Sequence, residues 1–330
     1  MSRKLCVMPL WQFEMKREDA IDLARIADQN GVHSFWVPEG WGRDAFSLLV
    51  SVAEKTQQIQ LATGIVNVYS RTPAALAQQF ATLDEWSGGR AIAGFGASSA
   101  NVIEQFHGVP FQPSLARIRE TVTIFNQLLR GEKLVHDGKW FKMDRGFRLR
   151  MQPVRPHIPV FLATMNPKSV RMTAEIADGW MPVMIPKRAL KEEIDRVRGW
   201  AREVGRAPSD LLVKAGSVTV SDAPDARDSG RPIIAYYIAR MGSFYFDQLV
   251  RFGYGEEAAA VKRAFDERGS AAGMAAVPEH MLDDLGFAGS AERCRERLIE
   301  LEGLGVDLHT VSVDARDPLS FGRAIETLLR

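Results

Sequence analysis

The chain alternates short apolar runs with longer segments of helical periodicity, and this alternation limits its fold more than any other feature. The apolar runs have the length of buried strands, and the segments between them carry apolar residues at helical spacing. Eight runs are predicted to be strands: Leu5–Met8, Ser34–Pro38, Ile59–Val66, Arg90–Phe95, Val160–Ala163, Gly179–Met184, Leu211–Val220 and Leu308–Val313. Eight strands alternating with helices in 330 residues predict an α/β fold of the (β/α)8 (TIM) barrel type. An open doubly wound sheet is the alternative.

Two segments interrupt the alternation. In Lys133–Leu149, Asp137-Gly138 lies between two β-type runs, which is typical of a hairpin. From about residue 222 to 287 the pattern is helical throughout, with pieces at Pro232–Met241, Glu256–Phe265 and Pro278–Leu285. We therefore expect residues 1–330 to form a single barrel domain with a helical insertion at about 222–287, before the last barrel unit. We also expect this insertion to cover the site and to shape its substrate specificity.

The charge balance gives no sign of a nucleic-acid or membrane partner. Lysine plus arginine number 42 and aspartate plus glutamate number 41, so any ionic recognition is local. No uncharged apolar stretch approaches a membrane span, and Cys6 and Cys294 lie in no CxxC motif. These features predict a soluble cytoplasmic protein with two buried thiols. Because metal-ligand histidine spacings, GxSxG and Walker motifs are missing, a metal site, a serine hydrolase and a nucleoside triphosphatase are not indicated.

The segment Leu61–Ser99 places small and polar residues after two successive predicted strands. It reads as strand, polar turn, helix, Gly-Gly turn, strand and the glycine-rich GFGAS. In parallel α/β proteins, cofactors bind at the end of the sheet where such loops lie. GFGAS resembles the start of a GxGxxG fingerprint, but Ser99 occupies the place of the third glycine, so a nicotinamide site is weakly supported. A tight turn without a ligand is the alternative.

Other candidate residues follow the remaining strands. Glu39 follows the second strand, where its carboxylate would hydrogen-bond a ring or a hydroxyl group, or lie in a solvated loop. Thr164–Ser169 follows the fifth strand and opens a helix, with Asn166 as a candidate cap. Backbone N–H groups at such a start bind phosphate, although an ordinary capped helix looks the same. His107 is the histidine expected near the site, and it is interpreted as a structural loop residue.

Taken together, these segments resemble the luciferase-like superfamily, and within it the branch that uses the deazaflavin coenzyme F420. The resemblance covers about residues 5–220 and 287–330. It is strongest in TGIVNVYSRTPAALAQQFATLDEWSGGRAIAGFGAS, which is similar to the methylenetetrahydromethanopterin reductase group. FWVPEGWGRDAF and VFLATMNPKSVRMTAEIADGW also fit. The resemblance implies a (β/α)8 barrel with the coenzyme ring at the C-terminal end of the strands.

The resemblance also implies a set of coenzyme contacts. In chain order they are Glu39, Gly64, Ile65, Asn67, Ala97, Ser98, Met165, Asn166, Lys168 and Ser169. A non-prolyl cis peptide is implied at Gly64-Ile65, behind the ring. Glu39 and Asn67 would contact the ring or its ribityl chain, and Ala97 and Ser98 would approach by backbone. The last four residues would surround the phosphate.

Two departures from related dehydrogenases bear on the reaction. The alcohol and sugar-phosphate dehydrogenases of this branch have a histidine where this chain has Gly40, and a glutamate where it has Ser99. The resemblance therefore implies direct hydride transfer between F420 and a C=C, C=N or C=O group of a small molecule, with Glu39 as the proton-handling candidate. An FMN-dependent monooxygenase and a non-catalytic cofactor-binding scaffold are the alternatives. Relatives are commonly dimers or tetramers, so a homo-oligomer is expected.

Overall fold

The computed structural model describes residues 3–8, 16–112, 115–314 and 317–330. Its strands are β1 (Leu5–Val7), β2 (Ser34–Val37), β3 (Gln60–Thr63), β4 (Val66–Asn67), β5 (Ala91–Gly96), β6 (Leu134–Asp137), β7 (Lys142–Phe147), β8 (Val160–Ala163), β9 (Gly179–Trp180), β10 (Leu212–Val220), β11 (Phe287–Gly289) and β12 (Leu308–Val313). Its α-helices are α1 (Arg17–Gln29), α2 (Ala45–Ala53), α3 (Pro73–Ser87), α4 (Leu115–Leu129), α5 (Pro167–Ile176), α6 (Lys187–Glu203), α7 (Arg231–Arg240), α8 (Ser243–Arg251), α9 (Gly255–Arg268), α10 (Ser270–Ala275), α11 (Glu279–Leu285), α12 (Ala291–Gly303) and α13 (Pro318–Leu329). A π-helical turn lies at Asn101–Phe106.

Parallel strands close into a barrel. The hydrogen-bonded order is β1-β2-β3-β5-β8-β9-β10-β12, and β12 pairs with β1 in turn. The pairing of β9 with β10 completes the ring. This closure confirms the predicted (β/α)8 barrel. The open-sheet alternative is wrong, because an open sheet would leave two edge strands without these partners.

The helices cover the outside of the barrel with their apolar faces. The ring of Phe80 on α3 packs edge-to-face against Phe46 on α2, Phe95 on β5 and Phe125 on α4, with centroid separations of 4.9 to 5.6 Å. All four rings are buried. Such aromatic pairs contribute about 0.5–1.5 kcal/mol each beyond their buried area. The cluster holds β5, which carries the glycine-rich segment, against the helical layer.

Two predicted strands are shorter than expected. The predicted strand Ile59–Val66 is interrupted after Thr63 and resumes as β4. The predicted strand Gly179–Met184 ends at Trp180, since Pro182 has no N–H with which to continue the ladder. The upper part of β10 pairs instead with β11, a strand that the sequence analysis did not predict.

The segment between β10 and β11 is helical, as expected, and its helices share a hydrophobic cluster. Ile234, Leu249, Val261 and Met281 are among its buried members. Helices α8 and α10 were not predicted. The predicted hairpin is confirmed by the antiparallel pair β6–β7. No helix in the described ranges has the length and apolar character needed to cross a lipid bilayer.

One lysine lies inside the barrel. Lys214 on β10 is only 6% exposed. Its Nζ donates a hydrogen bond to Thr310 Oγ1 (2.8 Å) and lies 4.6 Å from the centre of the Trp36 ring. The ionisable group that it faces among the described residues is the thiol of Cys6, and burial raises the pKa of that thiol, so neither a thiolate nor a carboxylate offsets the ammonium there at pH 7. Burial lowers the pKa of Lys214.

Replacing Lys214 with methionine should stabilise the protein at pH 7, by about 1–4 kcal/mol, because a buried charge without a counter-ion is removed. The folded pKa of Lys214 lies below the unfolded value of 10.5, so the unfolded chain binds more protons between the two values and the parent becomes more stable as pH rises. The advantage of Lys214→Met should therefore shrink as pH rises to the unfolded pKa. Urea unfolding at several pH values measures this, with the exposed Lys133→Met as control. An equal gain at every pH would contradict it.

Candidate active site

The predicted site residues lie together at the end of the barrel where the strands finish, here called the mouth. They follow β2, β3, β5 and β8, which are consecutive neighbours in the barrel. Backbone hydrogen bonds tie the first two of these strand ends together. The N–H of Gly64 donates to Val37 O (2.8 Å), and the N–H of Glu39 donates to Ile65 O (3.2 Å). The structure thus collects residues that are far apart in sequence into one arc of the mouth.

The Gly64-Ile65 peptide lies at the centre of this arc. It is a cis peptide, at the position that the family resemblance implied. Both residues are half-buried. Trp36 and Met8 lie beneath Gly64, where an added Cβ would be 3.4 Å from the indole and 3.7 Å from the methionine methyl group. The peptide therefore rests on side chains of the barrel interior and forms a floor for the mouth.

The two glycines of GFGAS have different roles, and both lie within β5. A Cβ at Gly94 would overlap the carbonyl oxygen of Thr63, so close packing between β3 and β5 requires this glycine. A Cβ at Gly96 would come within 3.1 Å of the Ile65 side chain, so Gly96 shapes the floor. Gly94 therefore serves the packing of the two strands, and Gly96 lies next to the floor.

The loop after β5 carries Ala97 and Ser98, which are half-buried. Ser98 has a φ of 62°, in the left-handed region that residues other than glycine rarely adopt. Ser99, in the place of the glutamate of related dehydrogenases, is buried, and its Oγ accepts the N–H of Val102 (3.4 Å). This position therefore offers no carboxylate to the mouth.

Asn67 is buried, and the orientation of its amide is fixed. Its Oδ1 accepts the backbone N–H groups of Tyr69 (3.0 Å) and Ser70 (2.7 Å). The amide nitrogen then faces His107 Nε2 at 3.4 Å. In the neutral ring, Nε2 is the acceptor and the proton lies on Nδ1. The structure thus brings together two residues expected near the mouth, and Asn67 holds the histidine as part of the loop.

The carboxylate of Glu39 is held in an ion pair, and its side chain is only 8% exposed. Arg71 donates to both of its oxygens, to Oε2 at 3.0 Å, and also pairs with Asp44 at 2.7 Å. Oε2 accepts the N–H of Ala45 as well (3.0 Å). The carboxylate therefore joins the loops after β2 and β4, and its proton-handling role stays a prediction. Sequence reasoning missed Arg71, since a single arginine in a polar turn carries no motif.

The start of α5 is capped as predicted. Asn166 Oδ1 accepts the N–H of Ser169 (2.9 Å), and the Ser169 hydroxyl donates to Asn166 O (2.8 Å). Ser169 is buried, Met165 is half-buried and Lys168 is exposed. The capping bonds occupy part of the first turn, and binding of a coenzyme phosphate there stays a prediction.

Helix α7 of the insertion reaches the loops of the mouth. The Tyr236 ring lies 6.2 Å from the Trp41 ring in the loop after β2. Near the end of α7, Arg240 O accepts a hydrogen bond from Asn101 Nδ2 (2.7 Å), in the π-helical turn after β5. The helix therefore bridges two strand-end loops.

Helix α8 makes two further contacts with these loops. The Phe244 ring lies 6.4 Å from the ring of Phe111, which follows β5. Gln248 Nε2 donates a hydrogen bond to Val183 O in the loop after β9. Together, α7 and α8 contact loops that follow β2, β5 and β9, and the expectation that the insertion covers the site stays a prediction.

A separate cavity of about 360 Å³ opens at the opposite end of the barrel. Its polar lining comes from His33, Gln58 and Gln60, beside Ile92 and Phe161. These residues lie where strands begin, and no predicted site residue lines the cavity. In barrels of this type, residues at that end serve stability rather than chemistry.

A closed parallel barrel with polar side chains gathered where its strands end defines the class of TIM-barrel proteins that bind ligands at that end. A family model described as luciferase-like monooxygenase matches residues 10–308, so the chain belongs to the luciferase-like monooxygenase family.

A Mycobacterium tuberculosis protein with the provisional name coenzyme F420-dependent oxidoreductase is 29% identical over 90% of this chain and 91% of its own length. The 5,10-methylenetetrahydromethanopterin reductase of Archaeoglobus fulgidus is 30% identical over 89% of each chain. Among solved structures, the coenzyme F420-dependent tetrahydromethanopterin reductase of Methanopyrus kandleri matches with a TM-score of 0.84, 22% identity, and coverage of 100% of this chain and 97% of its own.

Proposed function

We propose that this chain is an oxidoreductase that binds coenzyme F420 and transfers a hydride between that coenzyme and a small organic substrate. The names of its relatives support the coenzyme. One observation carries the reaction type: the two polar side chains expected beside the coenzyme ring, Glu39 and Asn67, already have partners for their oxygens. Asn67 is held by backbone N–H groups, and Glu39 is held by Arg71. Such a site suits a reaction that depends on positioning and on exclusion of water more than on proton transfer by a side chain.

The residues present fit such a coenzyme. A flat ring would rest on the floor at Gly64-Ile65, because the adjoining Ala97 and Ser98 are small and half-buried and leave the backbone approachable. The phosphate-bearing chain would extend toward α5, where first-turn N–H groups and the exposed Lys168 favour an anion. Asn67 would lie beside the ring or its polyol chain.

When bound in reduced form, the coenzyme would supply a hydride that becomes a new C–H bond on the acceptor, and the proton that it loses on oxidation would balance the proton that the acceptor takes up from water. The chain itself orients the reactants. Ile65 and Gly96 fix the height of the floor, Asn67 holds the adjoining loop, and α7 and α8 limit access of water. Because Gly40 and Ser99 replace the histidine and glutamate of related dehydrogenases, we propose an activated C=C, C=N or C=O group as the reacting group.

The test is an anaerobic titration of the purified chain with F420 and, separately, with FMN, followed by fluorescence quenching. We expect saturable binding of F420 with a Kd at least about tenfold below that of FMN, a difference of about 1.4 kcal/mol. Anaerobic oxidation of reduced F420 by an added acceptor should then require the protein.

Two outcomes would overturn this proposal. Preference for FMN with oxygen consumption would assign the chain to the monooxygenases of its family. Binding of neither compound, or binding of F420 without hydride transfer to any C=C, C=N or C=O acceptor tried, would favour a non-catalytic scaffold.

A further inference from the structure

We propose that Tyr237 and Tyr245 form a hydrogen-bonding site for the carbonyl oxygen of the hydride acceptor, and that the acceptor is an aromatic or conjugated ketone. This assignment rests on the proposed function and specifies its substrate class. It is carried by the position of the two tyrosines on α7 and α8, by the absence of partners for their hydroxyl groups within the described residues, and by the aromatic rings beside them.

Helical spacing places each tyrosine at the border between the side of its helix that contacts the strand-end loops and the side in the insertion core. On α7, Tyr237 lies between Tyr236, which contacts Trp41, and Arg240, whose carbonyl binds the loop after β5. The opposite side of α7 is buried in the core of the insertion. Residue 237 follows Tyr236 by about 100° around the helix and lies about 60° from the buried Ile234, so Tyr237 lies at the border between the side of α7 that contacts the loop after β2 and the side in the insertion core.

The same reasoning applies to α8. Tyr245 lies between Phe244, which contacts Phe111, and Gln248, which binds the backbone of Val183. Residue 245 lies on the helix surface between Gln248 and the buried Leu249, so Tyr245 is again at the border between the two sides. The rings of Tyr237 and Tyr245 then meet edge-to-face, 4.5 Å apart.

Neither hydroxyl group has a hydrogen-bond partner among the residues that the structure describes. Both residues are part-buried, and both hydroxyl oxygens retain some accessible surface. Enclosed hydroxyl groups are usually paired, so two neighbouring ones without partners indicate a place for a ligand acceptor. Burial raises the pKa of Tyr237 and of Tyr245. Both phenols therefore stay protonated at neutral pH and can donate to an oxygen.

The neighbouring side chains favour a flat, uncharged ligand. Each tyrosine directly follows in sequence a residue that makes an aromatic contact with a strand-end loop, Tyr236 with Trp41 and Phe244 with Phe111. Aromatic surfaces bind planar unsaturated skeletons well. The nearby Arg240 is paired with Asp266 (2.7 Å) and so does not supply a free cation for an acidic substrate.

The tyrosines would act as follows on an enone. The hydride forms a C–H bond at the β-carbon, the C=C electrons shift toward the carbonyl, and negative charge develops on its oxygen. Hydrogen bonds from the two phenols stabilise that charge, a proton from water then adds at the α-carbon, and the coenzyme returns a proton to water as it is oxidised. The products are the saturated ketone and the oxidised coenzyme.

The first experiment measures binding without turnover and uses a matched pair of probes, benzalacetone and 1-phenyl-1-butene, which differ by C=O against CH2. Ligand-observed NMR gives the Kd of each probe for the protein with and without F420. We expect the Kd of the ketone to be about fivefold to tenfold lower than that of the hydrocarbon, because one or two neutral hydrogen bonds contribute a difference of this size. Tyr237→Phe and Tyr245→Phe should each remove most of this preference. Equal affinity for the two probes, or a preference unchanged in both variants, would overturn the assignment.

The control variant is Tyr254→Phe, which removes a tyrosine hydroxyl from the same insertion. Tyr254 Oη donates a hydrogen bond to Asp284 (2.8 Å) and makes none of the contacts with the strand-end loops. Removing this hydroxyl group should therefore lower Tm and leave the preference for the ketone intact. The second experiment follows anaerobic oxidation of reduced F420 by benzalacetone. We expect the two mouth variants to lower kcat/KM by about tenfold, and to leave the Kd of F420 unchanged. If the parent protein does not bind F420, the proposed function is refuted and this inference is not the cause. If the parent reduces the ketone and both tyrosine variants reduce it equally fast, only this inference is refuted.

Discussion

Replacing Gly94 with alanine should prevent the barrel from folding. An added Cβ would overlap Thr63 O, a backbone atom of the adjacent strand that cannot move without opening the barrel. The same two residues exchange side-chain bonds: Thr63 Oγ1 donates to Gly94 O (2.8 Å) and accepts the Gly94 N–H (3.0 Å). We expect a loss of more than about 4 kcal/mol in the free energy of unfolding, seen as insoluble protein or a missing cooperative transition in urea.

The matched control is Gly96→Ala, two residues further along the same strand. Here the added Cβ meets the end of the Ile65 side chain at 3.1 Å, and that side chain can shift. We expect a folded protein, destabilised by about 1–3 kcal/mol, with weaker F420 binding because the floor is raised. Equal stability of the two variants would contradict the different packing roles assigned to the two glycines.

The sequence predicts the elements that depend on local pattern. The strand and helix alternation, the Asp137-Gly138 hairpin and the Asn166 cap follow from periodicity and turn chemistry, and the structure confirms each of them. The position of the cis peptide at Gly64-Ile65 came from the family resemblance. No local pattern marks such a bond, because its surroundings come from three other strands.

The rest depends on contacts between distant residues. Arg71 meets Glu39 across 32 positions, and Gly94 meets Thr63 across 31, so neither pairing leaves a periodic signal. β11 was missed because it has only three residues and pairs with the part of β10 that β9 does not reach. β9 ends before Pro182, which has no N–H for the ladder. The tyrosine pair on α7 and α8 was missed for a related reason: aromatic residues in a helical insertion look like core until the fold shows which face they occupy.

Replacing Arg71 with methionine should damage both stability and coenzyme binding. The change leaves the nearly buried carboxylate of Glu39 without its bidentate partner, and also frees Asp44 from its ion pair. Removing one partner of a buried ion pair costs about 3–5 kcal/mol, and the loops after β2 and β4 lose their link. Urea unfolding and the Kd of F420 measure the two effects, and we expect the Kd to rise by at least about tenfold if the floor beside these loops is displaced.

Glu39→Gln then distinguishes positioning from proton transfer. An amide keeps an oxygen for the Ala45 N–H, and Arg71 keeps its pair with Asp44, so the loops should stay joined. If Glu39 only positions the loops, kcat should fall less than about tenfold and the pH profile should keep its shape. A general acid or base contributes about 10²- to 10⁴-fold, so a loss of that size together with loss of one limb of the pH profile would identify Glu39 as the proton-handling group. Arg71→Met reports the effect of separating the loops, whereas Glu39→Gln leaves them joined. A fall in kcat that is seen only in Glu39→Gln therefore cannot come from displacement of the loops.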